Sequence, residues 1–592
     1  MTAEEPDADP CSGSESLPSG SATPVPEARA AGALLLAACL SSIGLMVPML
    51  TAGPLALDEH VTWWMPDGEL PAGSLQRSLN YMAVPPLSGW IQQASVALFG
   101  HSEWAFRLPS AVWHVLSVLV VFRAGSLMFG QMTGGLAALL MAWHPETLDE
   151  VRIARCYGLV QLLSSLLLLM TVQWLRQPRS RGIATGWSLT AAALLWTHYT
   201  SALLVLICGG TLLCNGRPSR RRPEIQRVSG YLLFGSLLTV VAAGVPLIPS
   251  VLRMKEWGPF LNFMSADVSL TNFFGPLWYV GLPLGIITGG LLQLALPTAS
   301  GSRTAAYSIT EASDGTRSTG TTNKAERQFS TEAWWPAIGC SVLPVLLMFL
   351  VTTPEISSLA NARYRIAFTP AGACLIAALL RKASPNWSAG AAAVTLTAAW
   401  WLSPLPPWQP GRLNAAPDQD WKELALQFHE SARPGDAVFV QSGLVESNLV
   451  PAFLNDDLFL EYAAARLGRF YAPSLHPRIG LPFLWTGPTD IRTHYRNRLL
   501  SIRSTTGVFW VASTTDTDLD RNSLEGIRDI AAEAEFRLEQ RFEWKHAVLE
   551  EYRITAEQVA NSGTITATVS SCRGLCESCI RRHPPMRSSW LR

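Results

Sequence analysis

Asp58 and Glu59 stand side by side in the run Gly53-Pro-Leu-Ala-Leu-Asp-Glu-His-Val-Thr-Trp-Trp64, a few residues beyond the first long hydrophobic stretch. An acidic pair just outside a bilayer, flanked by Trp63 and Trp64 whose amphipathic rings settle at headgroup depth, sits where water meets a lipid-borne substrate. That position suggests chemistry at a membrane face. Further ionisable groups, Arg155, His198, Lys255, Arg363 and Arg365, occur at the ends of later apolar runs, so the elements that bring them to one face decide what they can do together.

Those elements are membrane helices. Of 592 residues, 48% are hydrophobic and 15% charged, against about 25% charged in ordinary soluble domains. The formal net charge is zero, which gives no reason to expect nucleic acid or an anionic surface as the main partner. Apolar runs near bilayer length fall at 30–52, 108–129, 133–145, 156–175, 183–197, 199–214, 229–251, 272–296, 333–353, 366–380 and 387–403, which predicts about eleven spans. The first run has no basic leading region and is too long for a secretory core, so it reads as a retained helix. With a cytoplasmic N-terminus, the inside loops collect Arg176 to Arg181, the cluster from Arg217 to Arg227, the 297–332 loop, and Arg381 with Lys382, as the positive-inside rule requires. The same arrangement puts Asp58, Glu59, the 144–155 loop, His198 with Tyr199, the 253–271 segment and Arg363 to Arg365 together on the outer face. An odd span count sends the C-terminal region outside as well.

Three segments are not membrane. Residues 1–29 are rich in Pro, Ser, Gly and acids and read as a disordered cytoplasmic tail. The Ser/Thr/Gly-rich 298–332 loop reads as a flexible connection inside the 30–403 membrane domain. From 404 to 592 the composition is that of a soluble extracytoplasmic domain with a variable tail. Residues 420–429 have helical spacing, Pro434-Gly-Asp436 is a turn, 437–441 and 507–512 read as strands, and 522–539 reads as a helix, which together predict a small α/β fold.

Pro85-Pro86-Leu87, the stretch from Leu98 to Ala111, Ala154-Arg155-Cys-Tyr157, Thr197-His198-Tyr199 and Arg363-Tyr364 occur in this order after the acidic pair. The ordered set resembles the GT-C superfamily of polyprenyl-phosphate-sugar-dependent glycosyltransferases, among them protein O-mannosyltransferases and the lipid A aminoarabinose transferase. It covers most of residues 30–385. Two positions depart from the pattern of many relatives: Ile153 stands where they carry Glu, and Val84 where they carry His. Either Glu146, Asp149 or Glu150 substitutes for the missing Glu, or the site differs from theirs.

The resemblance implies transfer of a sugar from a polyprenyl-phosphate donor to an acceptor hydroxyl on a protein, lipid or glycan, at the outer face of the cytoplasmic membrane. The residues suit it. A carboxylate can take the hydroxyl proton, and guanidinium groups meet the departing phosphate through charge-assisted hydrogen bonds. Asp58 is then the base and Glu59 supports acceptor or metal binding. Arg155, His198, Arg363, Arg365 and Lys255 face the phosphate, with Tyr157, Tyr199, Tyr364 and Glu150 in support. The sequence establishes no cofactor, and a divalent cation is compatible with the chemistry.

Each reading has a plainer competitor. Helix-end arginines also snorkel to the interface, His198 could be a connector residue, and Trp63, Trp64, Trp334, Trp335, Trp400 and Trp401 read as interface anchors before sugar platforms. A lipid or sugar transporter or flippase would put ionisable groups and broken helices near the midplane and often repeat its halves, whereas here charge sits at the rims and no repeat is visible. A catalytically silent membrane-anchored binding protein is the remaining alternative. Cys572, Cys576 and Cys579 have the spacing of an iron–sulfur motif but lie too near the end for the barrel such a motif opens. A neutral tail is the first reading, a disulfide pair or a zinc clip with His583 the second, and the other cysteines read as small core residues.

Overall fold

The computed structural model describes residues 25–68, 70, 73–82, 84–215, 223–253, 268–296, 320–352, 359–403, 416–473, 476–486 and 490–554. Lys255, nearly all of the 1–29 tail, most of the 298–332 loop, and Cys572, Cys576, Cys579 and His583 lie outside them. Every one of the eleven apolar runs forms a helix. Seven helices are long and apolar enough to cross a membrane, at Pro26–Leu50, Glu103–Phe129, Tyr157–Arg176, Gly230–Arg253, Leu277–Ala295, Trp334–Val351 and Ile366–Ala383. The other four runs are the shorter helices Gln131–Ala142, Arg181–Leu195, Ala202–Asn215 and Ser388–Trp401. The chain is a multi-pass membrane protein with a separate sheet-containing domain.

It divides into two compact units. The first takes residues 1–51, 84–255 and 264–410, and the second takes 52–83, 256–263 and 411–592. The segment after the first helix, expected within the membrane domain, is therefore counted with the C-terminal region.

In the first unit the helices approach closely through small residues. Lipid supplies no hydrophobic drive between helices, so dispersion at short range has to do so. Gly281, Gly285 and Gly289 form a stripe at four-residue spacing along the helix ending at Ala295. A Cβ added at Gly285 would lie 2.8 Å from the Ala391 carbonyl, and one at Gly289 would lie 2.9 Å from Ser384 Cβ. Buried alanines, Ala137, Ala138, Ala371, Ala373 and Ala377, do the same elsewhere in this core. Trp400 donates from Nε1 to the Trp143 carbonyl at 2.9 Å, while Trp335 and Trp401 stay exposed.

The second unit is a five-stranded mixed sheet, β1 (Ala437–Gln441), β2 (Arg478–Gly480), β3 (Val508–Thr514), β4 (Phe536–Glu543) and β5 (Ala547–Ile554), in the order β2-β1-β3-β5-β4. β1 runs parallel to β2 and β3, and β5 runs antiparallel to β3 and β4. β1 and β3 are apolar and almost wholly buried, as expected for central parallel strands covered on both faces. The helix expected over 522–539 runs instead from Asp518 to Glu533. Thr517 caps its start, Glu535 turns the chain with a φ of 63°, and the alternating Phe-Arg-Leu-Glu-Gln-Arg-Phe-Glu that follows joins the sheet as β4.

Trp63 and Trp64 are not free interface anchors. Their helix, Leu57–Trp64, packs within the second unit, Trp63 edge-on to Phe470 with ring centroids 5.1 Å apart and Trp64 5.3 Å from Tyr462. Arg77, with no exposed surface, lies 5.5 Å from the centre of the Trp64 ring and donates to the Met65 carbonyl at 2.9 Å. The Leu55 N–H donates to Tyr471 Oη at 2.7 Å, and Tyr81 Oη donates to the Asp456 carboxylate at 2.9 Å. Partners more than 350 residues away in the sequence thus cover these rings within the second unit.

Candidate active site

Between the helices Gln131–Ala142 and Tyr157–Arg176 the chain makes one short helix, Pro145–Val151, with proline at its first position, where the missing N–H costs nothing. It carries Glu146, Asp149 and Glu150 three and four residues apart, hence along one side. Glu146 accepts from Arg365 at 3.1 Å, with side chains 24% and 7% exposed, and Arg365 also donates to the Ala360 carbonyl. Asp149 lies 3.6 Å from Arg152, and Glu150 is buried. The acids of this helix are thus engaged near the position where Ile153 replaces the Glu of relatives. Ile153 itself is buried, and its carbonyl accepts from the Arg155 N–H at 2.8 Å.

The chain then enters the helix that starts at Tyr157. A Cβ on the next residue, Gly158, would lie 3.2 Å from the Ser110 carbonyl, so the absent side chain lets this helix start settle against Glu103–Phe129. His198 lies in the connection between two further helices. Its Nδ1 is 2.8 Å from Thr200 Oγ1, and its ring contacts those of Tyr157 and Tyr364 at tilted angles, with centroid distances of 5.9 and 5.8 Å. Thr200 Oγ1 donates to the Tyr364 carbonyl at 3.4 Å, and the Arg363 N–H donates to Asn361 Oδ1 at 3.3 Å. Tyr199 turns elsewhere and donates to Ser250 Oγ at 2.7 Å. Three connections, near residues 155, 198 and 364, therefore meet at one end of the first unit's helices. They bring together Arg155, Tyr157, His198, Arg363 and Tyr364, with the Arg365–Glu146 pair on the same connections.

Electrostatics distinguish these groups. Burial pushes the His198 imidazole down to about 4, and the guanidinium groups of Arg155 and Arg363 push in the same direction. At neutral pH His198 is therefore uncharged and offers one donor and one acceptor, leaving the arginines as the cations of the cluster. His144 is lowered to about 3 by burial and then by Arg365. With Glu146, Arg365, Phe273 and Trp278 it lines a cavity of about 30 Å³, enough for a water molecule. Neither His144 nor Thr200 carries a motif of its own: Thr200 follows the Thr197-His198-Tyr199 set, and His144 only opens the 144–155 loop.

Asp58 and Glu59 belong to the second unit. Glu59 has no exposed surface, and its carboxylate accepts the Ala56 N–H at 2.9 Å, closing the first turn of its helix. Asp58 is half-buried on the same turn. Of the pair expected to act as base and as support, Glu59 holds the backbone and Asp58 is the more accessible. Among the described residues no group of three or more His, Cys, Asp or Glu side chains is arranged to hold a metal ion.

Residues 83–245 match the family model described as dolichyl-phosphate-mannose-protein mannosyltransferase. A putative mannosyltransferase, YycA of Bacillus subtilis strain 168, is 32% identical over 120 residues, which is 20% of this chain and 17% of that relative's length. Among solved structures, apo ArnT from Cupriavidus metallidurans superposes with a TM-score of 0.51 at 11% identity, covering 88% of this chain and 98% of its own. The oligosaccharyltransferase of Archaeoglobus fulgidus follows at a TM-score of 0.47 and 11% identity, covering 89% of this chain and 74% of its own. The chain has the GT-C fold that its ordered motifs resemble.

Proposed function

We propose that this protein is a membrane glycosyltransferase that moves a sugar from a polyprenyl-phosphate donor to an acceptor hydroxyl at the outer face of the cytoplasmic membrane. The observation that carries the reading is the convergence of Arg155 and Arg363 around a neutral His198, at one end of the membrane helices in a chain of GT-C fold. Two guanidinium groups can meet the charge that develops on the departing phosphate, through hydrogen bonds that strengthen as the glycosidic bond lengthens. His198 can donate to a phosphate oxygen without adding charge. Arg365, already paired with Glu146, fixes the connection and contributes less to the donor. Tyr157 and Tyr364 flank the imidazole and hold its plane. Asp58 takes the acceptor proton, and Glu59 acts by shaping the turn that presents it.

Charge at the helix ends supports this reading over a transporter. Incubating the purified, detergent-solubilised protein with radiolabelled polyprenyl-phosphate sugars tests it directly. Transfer or release of the sugar is the expected result, and a label that stays on the lipid with every donor and acceptor would count against the enzyme.

Arg363→Ala should raise the donor KM about tenfold to a hundredfold, the usual worth of hydrogen bonds to a charged group. Arg381 lies at the other end of the helix Thr369–Ala383 and pairs with Glu27 at 3.2 Å. Its replacement by Ala should leave KM within about twofold, since an exposed pair contributes little. Equal effects of the two would reduce Arg363 to an interface anchor. The orientation has its own check, because residues 404–592 belong outside the membrane. A fusion after Arg592 should be active with a reporter that works outside, and activity only with a cytoplasmic reporter would reverse the assignment.

A further inference from the structure

The C-terminal unit holds a second gathering of ionised groups that the transfer chemistry leaves unused. A cleft of about 340 Å³ opens beside the edge strand β2, and Arg469, His476, Arg478, Arg498, Asp457 and Glu461 line it. That volume lies at the lower end of the roughly 300–1,000 Å³ typical of small-ligand sites.

Local structure aims these side chains. Arg478 opens β2 with its backbone paired to Val438, and its guanidinium, 5% exposed, donates to the carbonyls of Leu467 at 2.8 Å and Ala472 at 2.7 Å. Burial lowers it to about 10, still cationic at neutral pH. Arg469 lies 3.8 Å from Asp67. Arg498, on the helix Ile491–Thr505, pairs with Asp457, which helps hold its guanidinium at the rim. Burial pushes the Glu461 carboxyl up, against the pull of Arg478, Arg469 and Arg77, and lowers His476. Around the cleft the four guanidinium charges of Arg469, Arg478, Arg498 and the buried Arg77 thus face three carboxylates, Asp457, Glu461 and Asp67, an excess of one cation.

From this geometry we infer that the cleft binds an anionic saccharide unit, a sugar ring bearing a phosphate or a carboxylate. The guanidinium excess selects an anion. A bare anion would be repelled by Asp457 and Glu461, whereas a ligand that also presents hydroxyl donors satisfies them, since ionised carboxylates only accept hydrogen bonds. Leu70, Leu460, Pro477 and Ile479 supply an apolar wall for the C–H face of such a ring. Carboxylate and phosphate share the fork geometry that arginine recognises.

The site stands on the cleft alone and does not depend on the transferase reading. It is tested with the full-length protein in detergent micelles, by calorimetric titration with glucose 6-phosphate and with glucuronate, using glucose and inorganic phosphate as comparison probes. At least one of the charged sugars should bind ten times more tightly than either glucose or phosphate. Arg498→Gln should weaken that binding about tenfold or more, the loss of one charge-assisted contact, with an unchanged melting transition because the side chain lies at the rim. Arg469→Gln should do the same, and if that variant melts early the Arg498 variant decides alone. Glucose binding as well as its phosphate would show that charge is not read. Inorganic phosphate binding as tightly as the sugar phosphate would remove the saccharide. An unaltered affinity in Arg498→Gln, or no saturable binding by any probe, overturns the site.

Discussion

Asp58→Asn should lower sugar transfer by about 10² to 10⁴ while leaving folding and insertion intact. Asn has nearly the shape of Asp and keeps its hydrogen-bonding capacity, but it cannot take a proton from an acceptor hydroxyl, and that range is the usual contribution of a positioned general base. Asp58 is half-buried in the first turn of its helix, where Asn forgoes only the charge–dipole term of about 0.3–1 kcal/mol. Glu59→Gln makes the contrast. Its carboxylate is spent on the Ala56 N–H, and Gln keeps an acceptor there, so its cost should be on the order of 1 kcal/mol of local stability and a few-fold in rate. The two variants are compared at equal expression, with matched elution profiles and thermal transitions. Near-normal transfer by Asp58→Asn would remove the acid–base role of the pair and leave only the fold-level likeness.

Asp418→Ala should destabilise the C-terminal unit by about 3–5 kcal/mol, the cost of leaving a buried charge uncompensated. Asp418 accepts from Arg466 at 3.1 Å, and their side chains are 9% and 7% exposed. Arg466 also lies 4.8 Å from the centre of the Trp421 ring and donates to the Ser442 carbonyl at 3.1 Å. Burial already lowers its pKa, and Asp418 is the main group holding it up. The measurement is the melting transition of the purified protein. Removing both charges together, as Asp418→Ala with Arg466→Met, should recover a large part of the loss, because an apolar pair of similar volume does not pay the desolvation of two ions. A double variant that melts no higher than Asp418→Ala alone would mean that Arg466 matters for its packing on Trp421 and not for its charge.

What the sequence determined by itself was whatever depends on local pattern. All eleven apolar runs became helices, because length and lack of charge are enough in a medium without water. β1, β3 and the 416–431 helix were legible from short-range periodicity. Arg155, His198 and Arg363 were legible from ordered motifs at helix ends. Tertiary structure decided the pairings between distant residues. The partners of Trp63 and Trp64 are Phe470 and Tyr462, and the partner of Arg365 is Glu146; no local pattern encodes a contact across two hundred residues or more. The state of His198 was decided in the same way. A histidine near physiological pH takes its charge from its surroundings, and it is burial, with Arg155 and Arg363 brought in from elsewhere in the chain, that keeps this one neutral. Glu59 was legible as an acid beside an acid. Only the fold withdrew it from solvent and left Asp58 as the more accessible carboxylate, because the role of a side chain depends on which of its atoms water and substrate can still reach.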